Sequence, residues 1–466
     1  MIAAFTRPRA PALIAAASTL AAFVLVLNGL GSEAPETRQL LHTGAITVFA
    51  IGLYATGALP GHLTALLFFL FAMLLSVAPA EVVFSGFHST ALWLVFGGLI
   101  LGVAVDHTGL GARVARALVG LLHGSYFRVI AGLVLMTLGI SFLLPSSLGR
   151  IALLIPIVLS LADELGYEPG RRGRTGIVIA SALGCFVPPF SVLPANIPNL
   201  VMLGAAESLY DLKVTYGGYL LLHFPVTGLL KALAIVAVVT LLFRDGPPER
   251  AAATERSPMS KGEKRLAAIL AIAVALWVSD FWHQISPAWI GLGAGLICLL
   301  PWFKLVPLRA FENKVNHSAF FYVAGIVSLG AVAAYGGFGQ WLGLALIDAM
   351  NLGPGHQMVN FFALAGTGIA VGLGTTLPGI PAVMTPLADL LAGATGLPRD
   401  TVIMTQVISF STVILPYQAP PLVLAIYLGG IRALDMARTT ITLALVTAIL
   451  LIPMNYAWWQ VLGLFP

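Results

Sequence analysis

Four short runs interrupt otherwise apolar sequence with residues able to hold an ion: Ser146-Ser147-Leu148-Gly149-Arg150, Asn196-Ile197-Pro198-Asn199, Thr375-Thr376-Leu377-Pro378 and Pro416-Tyr417-Gln418-Ala419. Arg150 carries a planar fork of N–H donors that can grip a carboxylate, sulfonate or sulfate through two parallel hydrogen bonds. Asn196, Asn199 and Gln418 each bring a donor and an acceptor, and Ser146, Ser147 and Thr376 add hydroxyls. Together these seven residues are the candidate substrate-binding set. Asp389, about one turn after Pro386, is the candidate proton-coupling group, ahead of Asp106 and His223. Lys231, inside an apolar run, is expected to snorkel to the interface. No residue is a catalytic candidate.

The prolines explain why these runs matter. Pro188-Pro189, Pro194, Pro198, Pro416 and Pro420-Pro421 cannot continue a helix. Broken backbone at membrane depth survives only inside protein or beside a water-filled cavity. Half-helices that begin after a break aim the positive ends of their dipoles at the gap, which favours an anion. Paired interruptions in corresponding places of two halves point to a transporter's binding site.

The chain has 466 residues, of which 59% are hydrophobic and 9% charged, against roughly 25% charged in a soluble domain. Runs long enough to cross a bilayer recur along it, so an all-α polytopic membrane protein is expected, with about 11 spans plus two hairpins. The net charge of +5 is dispersed among loops, which speaks for topology rather than nucleic acid. Cys185 and Cys298 both lie in apolar sequence and supply no disulfide framework.

If the apolar stretches near residues 128–165 and 357–396 enter and leave on one side, most Lys and Arg fall on a single face. The positive-inside rule makes that face cytoplasmic, with the N-terminus cytoplasmic and the C-terminus external. The expected divisions are an N-terminal span and external loop (1–40), a first repeat (41–243), a cytoplasmic linker (244–264), a second repeat (265–437) and a C-terminal span (438–466). Gly102, Gly109 and Gly111 match Gly330, Gly337 and Gly339 at one offset, and Pro156 and Gly166 match Pro386 and Gly396 at nearly the same one. An odd number of crossings per half makes the two repeats inverted in topology, each with a re-entrant hairpin and a broken transmembrane helix.

At the breaks the chain resembles the divalent anion:sodium symporter family of the ion-transporter superfamily. Ser146 to Arg150 with Leu154-Ile155-Pro156 stands in place of that family's Ser-Asn-Thr tip and its Leu-Pro continuation. Asn196-Ile197-Pro198-Asn199-Leu200 is similar to its Thr-Pro-Pro-Asn-Leu break, and Leu415 to Pro421 to its Leu-Pro-Val-Ala-Thr-Pro-Pro segment. The resemblance implies a homodimer in the plasma membrane (the inner membrane in a bacterium) that moves sulfate, sulfonates or small di- and tricarboxylates by elevator-type alternating access. Sodium or protons would be the coupling ions, with no other cofactor. Candidate sodium ligands are Ser146, Ser147, Asn196, Thr375, Thr376 and Ala419. Both tips lack the family's Asn and Thr, and Arg150 replaces a small polar residue, which weakens the case for sodium. A charge at bilayer centre costs about 2.5–3.5 kcal/mol, so Arg150 needs compensation. It could clamp the substrate or stand in for a bound sodium.

A cation/proton antiporter or an arsenite-type permease of the same superfamily is the alternative, but a cation carrier calls for a membrane-depth carboxylate where Arg150 stands. An intramembrane enzyme is the remote alternative: the chain has no His-Glu-x-x-His and no phosphate-cradling loop.

Overall fold

The computed structural model describes residues 9–56, 58–111, 113, 124–142, 146–248, 258–339, 341, 344, 347–348 and 352–465. Leu144 and Pro145 of the first expected tip, and the centre of the expected linker, lie outside the described residues. Among the described residues every regular element is helical, as lipid requires when the backbone must satisfy itself.

The helices run in the following order. After α1 (Arg9–Leu30) come α2 (Pro35–Thr56), α3 (Gly61–Leu74), α4 (Thr90–Thr108), α5 (Tyr126–Ser141), α6 (Ser147–Glu164), α7 (Arg172–Phe186), α8 (Ile197–Tyr210) and α9 (Tyr216–Leu242). Then come α10 (Lys261–Val278), α11 (Pro287–Leu299), α12 (His317–Tyr335), α13 (Gln357–Gly374), α14 (Gly379–Thr395), α15 (Arg399–Phe410), α16 (Pro420–Gly429) and α17 (Ala433–Val461). Short helical turns at Ala80–Val83 and Leu308–Lys314 precede α4 and α12 respectively. The last helix, expected as a separate span, is close in length to α9, 29 residues against 27. Both contain a π turn, at Phe224–Leu230 and Thr447–Leu451.

The glycines matched in sequence do the same work in both halves. Gly109 (φ 77°) and Gly337 (φ 76°) follow the ends of α4 and α12, while Gly166 (φ 84°) and Gly396 (φ 71°) follow α6 and α14. Left-handed backbone at a helix end is the conformation that glycine adopts at no steric cost.

α4, α9, α12 and α17 are long and apolar enough to cross a membrane, as is α7 with the turn that extends it to Ser191. α14 and α15 pass the same test as a pair bent by 119°. Small residues let α4 and α11 approach closely, since a methyl group on Gly97 would stand 2.5 Å from the carbonyl carbon of Gly291. Pro386 interrupts α14 with a 3₁₀ turn, and the Tyr210 hydroxyl approaches the Thr385 and Pro386 carbonyls there at 3.0 Å each.

Candidate functional site

α7 ends because Pro188 and Pro189 follow it, and its last carbonyls lose their helical acceptor role. Arg150 takes them up. It sits in the first turn of α6, fully buried, and donates from Nε and Nη2 to the Cys185 carbonyl at 3.0 and 2.8 Å. Nη2 also reaches the Ala195 carbonyl at 3.2 Å and Asn196 Oδ1 at 3.3 Å. A cation suits this place because a helix C-terminus carries a partial negative charge. Asn196 Nδ2 donates to the Phe186 carbonyl, and Asn199 Nδ2 lies within bonding distance of the Phe190, Val192 and Leu193 carbonyls. The first break is thus stitched to the first tip by the side chains that the sequence singled out.

The second break is closed by different chemistry. Gln418 Oε1 accepts from the Ile414 and Leu415 amides at 2.9 and 2.8 Å, while its Nε2 donates to the Gly372 carbonyl at 2.6 Å. Leu377 N–H meets the Gln418 carbonyl at 3.2 Å, and the Tyr417 hydroxyl donates to the Leu373 carbonyl at 2.5 Å. Gly372 and Leu373 lie in the last turn of α13, so a neutral amide and a phenol tie the second tip to its break. Thr375 Oγ1 turns back to the Val371 and Thr376 carbonyls.

At the tips lie two neighbouring spaces, or lobes, of about 310 Å³ each, both lined by Ser147, Leu148, Ile197, Asn316 and Ala319. One lobe reaches Ser146, Arg150, Asp106 and Lys314; the other reaches Tyr322, Thr376, Gln418 and Ala419. Helix N-termini ring the second lobe. Gly61 and His62 open α3, Ser147 and Leu148 open α6, and Ile197 and Pro198 open α8. Asn316 caps α12, Leu377 and Pro378 lead into α14, and Pro420 and Pro421 open α16. Each such end carries about half a positive charge from its aligned peptides, and the lobe collects them.

Ser146 and Arg150 thus line the first of these spaces, Thr376, Gln418 and Ala419 the second, and Ser147 both. Asn196 stands behind them on Arg150, and buried Asn199 lines neither lobe. Asp389 is elsewhere, largely exposed and paired with Arg399 at 3.2 Å. Lys231 does not snorkel: it is 2% exposed, and its Nζ donates to the Ser411 carbonyl at 2.8 Å and to Ser411 Oγ at 3.0 Å. The reason is its neighbour, because α9 turns this side chain toward the end of α15 rather than toward lipid. Sequence reading passed over His62, Asn316, Ser318 and Tyr322, which line the second lobe. Asn316 had a readable signal, an Asn-His-Ser run opening an apolar span as a helix cap, but it lies outside any break.

Among the described residues no group of three His, Cys, Asp or Glu side chains could hold a metal ion.

Known proteins place the chain among transporters. A family model described as the sodium:sulfate symporter transmembrane region matches residues 14–465. A protein of Cupriavidus necator named only as a membrane protein is 24% identical over 97% of this chain and 92% of its own length. The L-tartrate/succinate antiporter of Escherichia coli K12 is 25% identical over 81% of this chain and 80% of its own. The crystal structure of the YdaH transporter of Alcanivorax borkumensis shares the fold, with a TM-score of 0.56 and 16% identity over 92% of this chain and all of that one.

Proposed function

The chain belongs to the sodium:sulfate symporter transmembrane-region family, and from that membership we propose that it is a secondary transporter of small anions, dicarboxylates foremost. The observation that carries the reading is the lobe ringed by helix N-termini at the two tips. Six helix N-termini around one space of about 310 Å³ favour an anion over a cation. Hydroxyls of Ser147 and Thr376, which line that lobe, would hold the oxygens of the bound anion. The tartrate/succinate antiporter among the relatives supports dicarboxylates over sulfate.

Arg150 favours exchange over sodium symport. Of the candidate sodium ligands at the first tip, Asn196 already has its Oδ1 engaged by Arg150 at 3.3 Å. The guanidinium supplies the positive charge itself, so no cation has to arrive with the anion. In this reading Arg150 acts through the break and through its field, with Nε and Nη2 on the Cys185 and Ala195 carbonyls and Asn196 Oδ1. α2–α9 and α10–α17 form two inverted repeats in an inner-membrane homodimer, with the N-terminus cytoplasmic, and the tips and breaks travel as one carriage in alternating access.

Thermal unfolding of the purified protein tests the reading. Ligand that binds only the folded form raises apparent stability by RT ln(1 + [L]/Kd). Succinate, tartrate and sulfate are compared in sodium and in choline. Stabilisation by a dicarboxylate to the same extent in both salts, with counterflow in preloaded liposomes, is the expected result. Stabilisation seen only in sodium restores symport and returns Arg150 to a purely structural part.

A further inference from the structure

The second break has a buried cation of its own. Lys231 follows the π turn of α9, and its Nζ lies on the carbonyl and hydroxyl of Ser411, the residue that caps α15. The arrangement matches Arg150 on Cys185 at the end of α7. In each case a cation sits on a carbonyl in the last turn of the first half of a broken helix, where the dipole is negative. The sources differ, since Arg150 comes from the adjoining tip and Lys231 from α9, across 180 residues. Among the described residues no Asp or Glu forms an ion pair with Lys231. A helix end offers only about half a charge, so an ammonium held there brings net positive charge into a low-dielectric place. The far end of the same break, Gln418 to Pro421, lines the second lobe at the tips.

We propose that Lys231 sets the carrier's preference for dianions: its ammonium, fixed on the end of α15, gives the second half of the site the positive charge that Arg150 gives the first. One cation asks for one negative group, whereas two, one behind each break, ask for two. Lys231 is a positioning and field residue, since its donors lie on Ser411. The inference rests on the anion-transport reading above, and it goes further by naming what separates a dianion from a monoanion.

The test is transport by the purified full chain in liposomes, with succinate against its monoanionic amide, succinamate. Wild type is expected to favour succinate by KM. In Lys231→Met that preference falls about tenfold, mainly through a higher KM for succinate, and Lys231→Arg restores it. A purely structural lysine would lower the rates for both anions together. Where Lys231→Met folds poorly, Ser411→Asp keeps the ammonium and cancels its charge with a neighbouring carboxylate, and the same loss of preference is expected. An unchanged preference in either folded variant overturns the inference while leaving anion transport standing. A wild type that carries neither anion overturns the transport reading itself.

Discussion

The two tips are tied to their breaks with unequal strength. At the first, a buried guanidinium from the tip itself bonds the end of α7 and the backbone beyond it. At the second, the direct ties are neutral: the Gln418 amide and the Tyr417 phenol on the end of α13. The second cation, Lys231, stands at the other end of its break and leaves the tip untouched. Hydrogen bonds to charged groups contribute about 1.5–3 kcal/mol each and neutral ones about 0.5–1.5. Separating the first tip from its break would also strand a charge, whereas separating the second would strand only amides. The difference teaches that the first tip is the firmer anchor and the second the one freer to loosen from its break.

The largest effect should come from breaking the anchor. Arg150→Gln keeps a donor but loses the charge and the fork, leaving buried carbonyls at Cys185 and Ala195 short of partners. A loss of about 3 kcal/mol or more is expected from the charged bonds alone, together with near-complete loss of transport. Thermal unfolding and liposome counterflow measure both. A variant as stable and as active as wild type would show that the first tip needs no cation.

Gln418→Ala should cost less and act more locally. It strands the amides of Ile414 and Leu415 and the carbonyl of Gly372, at about 1–3 kcal/mol. Hydrogen exchange should quicken across residues 372–378 and 411–419 and stay unchanged across 185–199. If Arg150→Gln and Gln418→Ala loosen both breaks equally, the halves are coupled and the contrast between them fails.

How far this was legible in the sequence divides along the same line. Proline pairs, glycine matches and polar residues in apolar runs sufficed to place both breaks, because a helix cannot pass a proline pair in either half. The partners of those polar residues were not legible. Arg150 pairs with carbonyls 35 and 45 residues onward and Lys231 with one 180 residues onward, and every residue has a carbonyl, so side-chain type alone names no partner. For the same reason Lys231 read as a snorkelling residue: its acceptor is backbone, and an acidic partner was the only signal a sequence could have offered. Asp389 drew notice through its place after Pro386, but what settles its surroundings is Arg399 across the Gly396 turn.

The smallest effect comes from an ion pair outside both tips, and it serves as the control for their comparison. Glu263, at the third position of α10, bonds Arg113 beyond α4 at 2.6 Å and closes a capping box with Ser260. The Arg113 side-chain bond, followed by the Ser260 amide, holds its carboxyl at about 2, below the ordinary 4.5. Because the folded value is the lower one, this pair stabilises the fold fully above pH 4.5, and its contribution fades as pH falls from there toward 2. Glu263→Gln should therefore lower the melting temperature slightly at neutral pH and remove that part of the acid decline, as a melting series across pH would record. The same series on Gln418→Ala should show the wild-type acid step displaced downward in temperature but not in pH, because α10 and Arg113 take no part in the second tip. A step that moves in pH would mean that loosening this tip reaches the Glu263 pair, and the second half would then open as a whole rather than at its tip.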